Sequence, residues 1–149
     1  MHKPWVTMLV LAFLLLVAGL ACGTPSSEGV VAHKSITGSR EGSSQTVLTN
    51  RPSDNGTPLI DVEDADLKSL FAVGEEHAFI SDSLAFQIES RFDEVKYVVN
   101  IRLESSGDGG TQPYITSREV FNQLRVGETV KFKTKQEGDF PTLVEIEEP

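Results

Sequence analysis

From Val95 to Leu103 apolar and polar positions alternate: Val95, Tyr97, Val99, Ile101 and Leu103 fall on one face, and Lys96, Asn100 and Arg102 on the other, with Val98 among them. A period of two sustained over a whole segment predicts a strand with one buried face. Upstream, "LAFQIE" repeats the pattern with Leu84, Phe86 and Ile88 on one side. The short "SRFDE" loop between the two segments predicts a hairpin. Downstream, "ETVKFKTK" places Val130, Phe132 and Thr134 inward and Lys131, Lys133 and Lys135 outward. After a turn over 136–139, "TLVEIEE" opposes Val144 and Ile146 to Glu145 and Glu147. Between these pairs, "YIT" reads as a short strand. Thr116 and Glu119 have capping-box spacing, which predicts a brief helix over 117–124 with an apolar stripe of Val120, Phe121 and Leu124.

The folded part is therefore predicted to span residues 59–149 and to be mainly β. A short helix is expected within 59–71, with Leu67, Leu70 and Phe71 facing inward, and a further strand at His77–Ile80. A helix between the third and fourth of five strands resembles the OB-fold, a Greek-key barrel, over residues 75–148. "VGEEHAF" followed by "KYVVNIRLES" is similar to the small immunoglobulin-like domains of bacterial lipoproteins, so a β-sandwich is the alternative architecture. "FAVGEEHAF" and "LRVGETVKF" share a nine-residue pattern in which Gly74 and Gly127 are each expected to turn the chain into a strand.

The amino-terminal part has another character. Between Trp5 and Ala21 no residue is charged, and His2 and Lys3 precede that run, the layout of an export signal. "AGLAC" resembles the lipobox of bacterial lipoproteins, in which small residues precede a cysteine that is acylated and becomes the new amino terminus. The resemblance implies cleavage between Ala21 and Cys22 and a lipid anchor, with palmitate-type chains, on Cys22. Gly19 departs from the pattern, which usually has a leucine-like side chain there. A diacylglyceryl group anchors stably where one acyl chain binds only marginally. Residues 22–58 are rich in Gly, Ser, Thr and Pro and contain no aromatic residue, so a disordered tether is expected there.

Charge and residue types narrow the function. The 149 residues carry 22 acidic against 13 basic side chains, a net charge of −9. That balance opposes nucleic-acid binding, which depends on clustered Lys and Arg. The acids after Asp61 lack the glycine of a calcium loop, because Asp66 stands at that position, so no metal is expected. "SSGDGGTQP" lacks the G-K-[ST] ending of a phosphate-binding loop, and no cofactor is expected. The enzyme alternative is an envelope hydrolase using His77 with Asp82, but no nucleophile elbow accompanies them. The reading reached from sequence is a non-catalytic, membrane-anchored barrel facing outside the cytoplasm. Its partner would be an unidentified envelope protein or ligand. The surfaces considered for that partner are Phe92, Asp108 in the glycine-rich loop, and the outward Lys131, Lys133 and Lys135, which can equally pair with Glu145 and Glu147.

Overall fold

A computed structural model describes residues 26–71, 74–104, 107 and 110–147. Its strands are β1 (Ser27–Arg40), β2 (Ser43–Pro52), β3 (Pro58–Val62), β4 (Glu94–Leu103), β5 (Thr111–Thr116), β6 (Thr129–Glu137) and β7 (Phe140–Glu147). Three short helices accompany them: α1 (Ala65–Lys68), α2 (Asp82–Glu89) and α3 (Arg118–Gln123). The sheet order is β3-β2-β1-β4-β5-β7-β6, and β1 also pairs with β6, which closes β1, β4, β5, β7 and β6 into a five-stranded barrel. β5 and β7 run parallel and the other pairs antiparallel. With α3 between the third and fourth barrel strands, the barrel is OB-like. One sheet closing on itself replaces the sandwich alternative.

The first barrel strand lies where a disordered tether was expected. β1 turns Gly29, Val31, Lys34, Ile36 and Gly38 inward. Its register against β4 shifts between Val31 and His33, which reverses the parity halfway along the strand. Only two of those five inward residues are aliphatic, so a hydrophobic period never emerges from the sequence. Both glycines answer to space: a Cβ on Gly29 would lie 2.6 Å from the Arg102 carbonyl oxygen and from Ile101 Cγ2, and one on Gly38 would overlap the Phe92 ring. β2 shows a second shift, opposite Ile36/Thr37, and buries the adjacent Val47 and Leu48 together.

"LAFQIE" is helix α2 and not a strand. Ser81 caps it, accepting from the Leu84 amide, and Leu84, Ala85 and Ile88 face the core while Phe86 is 73% exposed. A short apolar run fits either period, and here the cap decides. α3 begins one residue later than its predicted cap: Ser117 caps it, and Thr116 ends β5. In α1 Leu67 is buried, but Leu70 points to solvent. Residues 77–80 form no ladder. Gly74 and Gly127 share a left-handed backbone, with φ of 85° and 87°, so the repeated pattern marks the same turn geometry twice.

The barrel core is built on edge-to-face pairs, Tyr97 with Phe121 at 5.4 Å and Tyr114 with Phe132 at 5.1 Å between ring centroids. Between β1 and β4 of the barrel, the chain makes a long excursion through β2, β3, α1 and α2. That excursion packs along the second half of β1. Replacing Gly29 by Ala should destabilise the protein by about 1–3 kcal/mol, because the clash is with backbone. Urea unfolding beside Gly107→Ala, where the site is open, checks it; equal midpoints for the two variants would contradict the packing of β1 on β4.

Candidate functional site

The most unusual group in the molecule is Lys34, whose side chain is fully buried inside the β1 half nearest α3. Its ammonium donates to three backbone carbonyls, Phe121 O and Leu124 O at 2.8 Å each and Ala78 O at 3.2 Å. The Phe121 ring face lies 4.2 Å away. Two of those acceptors belong to the last turn of α3, whose carbonyls have no partner within the helix. A cation there also meets the negative end of the helix dipole. Burial, aided by the nearby Arg125 charge, pushes the ammonium down to about 7.

Two asparagines extend this network. Asn50 of β2 is fully buried, donating to Leu59 O at 2.9 Å and Glu76 O at 3.1 Å and accepting from the Ala78 amide at 3.2 Å. Asn122 of α3 accepts from the Ile80 amide at 2.8 Å and donates to Ile80 O at 3.0 Å. The strap 76–80 is thus tied to the barrel by side chains of Lys34, Asn50 and Asn122. His77 joins it, with Nε2 donating to Asn122 O at 2.9 Å. That bond assigns the neutral tautomer, and burial followed by the Lys34 charge holds the imidazole below its usual range.

This geometry gives His77 a bond to backbone, while Asp82, considered as its catalytic companion, accepts from Arg118. Phe92 is half-buried with its ring over Gly38. It borders a cleft of about 510 Å³ lined by Arg40, Glu41, Gln45 and Arg91. Arg91 is bonded to Asp64 at 2.8 Å, and Asp64 caps α1. Backbone bonds, first from Leu67, hold the Asp64 carboxyl below the usual carboxylate range. Lys131 meets Glu28 at 3.5 Å, Lys133 meets Glu145 at 3.2 Å and Glu147 at 3.5 Å, and Lys135 meets Glu137 at 2.6 Å. Ala21, Cys22 and Asp108 lie outside the described residues. Among the described residues, the sequence-derived candidates Phe92, Lys131, Lys133 and Lys135 do not come together in one site. Lys34, Asn50 and Asn122, which do converge, went unremarked in the sequence; the only signal was a lysine set between Val31 and Ile36.

A second feature is apolar surface on the excursion. Leu70, Phe79 and Phe86 are 45%, 59% and 73% exposed. Leu70 and Phe79 flank a cleft of about 290 Å³ that also includes Phe71, Leu84, Ser83 and Glu75. Among the described residues no helix is long and apolar enough to cross a membrane. No family model matches the chain, and neither a curated protein nor a solved structure is similar enough to it to indicate a relationship.

Lys34→Met should destabilise the fold by about 3 kcal/mol, since three buried carbonyls lose their donor. The pH dependence has a definite sign. Lys34 loses its proton near 7 in the folded state against 10.5 ordinarily, so between those values the unfolded chain binds more protons. Its contribution is complete above the ordinary value and is lost as pH falls toward 7. Wild-type urea midpoints should therefore rise from pH 7 to pH 9, and the rise should be flattened in Lys34→Met; parallel profiles would contradict this assignment.

Proposed function

We propose that this chain is a bacterial lipoprotein, anchored through acyl groups on Cys22, whose OB-like barrel is a non-catalytic binding or structural module held at the outer face of a cell-envelope membrane. The observation that supports it most is the sequence AGLAC, which resembles a lipobox and closes an uncharged run from Trp5 to Ala21 preceded by His2 and Lys3. β1 begins at Ser27, five residues after Cys22. Five residues span at most about 18 Å fully extended. An acylated Cys22 would hold the barrel against the lipid surface, where a 37-residue tether would have let it wander.

Strand direction then gives the module an orientation. Ser27 pairs with Phe132, Gly29 with Leu103, and Arg102 with Thr111, so the start of β1 shares its end of the barrel with the end of β4 and the start of β5. The opposite end of β1 pairs with the start of β4, Ser39 opposite Glu94, and carries α1 and α2 nearby. A chain tethered at Cys22 presents this second end away from the membrane.

The proposal is tested by growing expressing cells with an alkyne-bearing fatty acid and measuring the intact mass of the mature chain. The label should appear on the wild type, with residues 1–21 removed, and be absent from Cys22→Ser. A mature chain that begins at Cys22 without acyl mass, or one that keeps residues 1–21, would overturn the anchor.

A further inference from the structure

The excursion between β1 and β4 contains nearly all of the net charge of the molecule. Residues 59–94 hold ten Asp and Glu against Lys68 and Arg91, a net −8 out of −9 for the whole chain. The same segment exposes Leu70, Phe79 and Phe86. Large apolar side chains scattered singly on a surface are ordinary, but here two of them flank one cleft and the third stands beside it. Ser83 lines the cleft, and Phe86 follows it by one helical turn on the solvent side of α2. Acids bracket these residues closely. Glu75 lines the cleft, while Asp82 and Glu89 lie one turn before and one turn after Phe86. The nearby cations are fewer: Lys68 on α1, and Arg118, which is bonded to Asp82.

We propose that the Leu70–Phe79–Phe86 surface docks a cationic polypeptide segment, one whose apolar side chains seat on the cleft and on Phe86 while its Lys or Arg residues meet Glu75, Asp82 and Glu89. Charge complementarity selects this occupant. A second copy of the chain would bring net −8 against net −8 across the same patch, and an anionic lipid surface is repelled by it. Aromatic residues in a desolvated pocket supply the affinity of such interfaces, and the surrounding charge supplies the encounter rate and the choice of partner. The inference rests on reading the barrel as a binding module and not on the acyl group at Cys22. A chain that is acylated yet docks nothing therefore refutes this inference alone.

The test uses the full chain as the expressing cell processes it and a fluorescent amphipathic helical peptide of about 15 residues with a Lys face and a Leu/Phe face. Its control is the same peptide with every Lys changed to Glu. The basic peptide should bind and the acidic one should not. Binding should weaken steeply as ionic strength rises from about 0.01 to about 1 M, over which the screening length falls from roughly 30 to roughly 3 Å. Phe79→Ser with Phe86→Ser should weaken it about tenfold, as loss of two aromatic anchors does elsewhere. Phe140→Ser, an exposed residue at the other end of the barrel, should leave it unchanged. Equal binding of both peptides, no binding of either, or equal loss in Phe140→Ser would overturn the proposal. So would a dimer, or attachment to phosphatidylcholine vesicles, that the Phe79/Phe86 pair abolishes.

Discussion

Everything at one end of this barrel depends on the burial of the Lys34 ammonium. Taking a bare ammonium out of water costs several kcal/mol even after relaxation. Three carbonyls and an aromatic face offset that cost, and they come from two separate parts of the chain, α3 and the strap 76–80. The bond set is complete only when both sit correctly on β1. A neutral amine has two hydrogens for three acceptors, so deprotonation loosens one contact without dissolving the arrangement. The same charge, on β1, also helps to hold the His77 imidazole of the strap below its usual range.

β1 has the harder task of serving three neighbours. Its first residues pair with β6, nearly its whole length with β4, and its second half with β2. A flat strand could not turn that far, and the register shift at Ala32 supplies the bend that closure demands. Glycine at 29 and 38 lets β4 and Phe92 approach the bent backbone. The strap 76–80 joins no ladder, and the side chains of Asn50 and Asn122 tie its backbone to the rest of the fold instead.

This division explains what sequence could and could not show. β4 alternates strictly and is legible from its apolar period, as is the first half of β6, and the helix between β5 and β6 gave the OB-like order. β7 departs from the expected face: a register shift against β6 beside Thr134 buries Leu143 and leaves Val144, expected inward with Ile146, half exposed. β1 was hidden because bulge, glycine and lysine occupy the positions from which a period is read. Its polar composition then resembled a linker. α2 was misread because Leu84, Phe86 and Ile88 alternate, although Leu84, Ala85 and Ile88 are the buried set. The bonds of Lys34 reach carbonyls as far as 90 positions along the chain, and only the closed barrel brings these groups together. Cys22, by contrast, rests on a local resemblance and owes nothing to the fold.

The distribution of charge adds a last constraint on orientation. Outside residues 59–94 the chain is close to neutral, at net −1. From Ser27 to the middle of the second half of β1 is about ten residues, on the order of 30 Å at strand rise. That is several screening lengths at physiological salt, where the length is roughly 8 Å. If the start of β1 lies at an anionic membrane, the acidic excursion escapes the surface potential by standing at the far end, and any tilt that lowered it toward lipid would be opposed. Anchor position and charge placement would then act in the same sense, keeping the end of α2, beside the far end of β1, clear of the lipid.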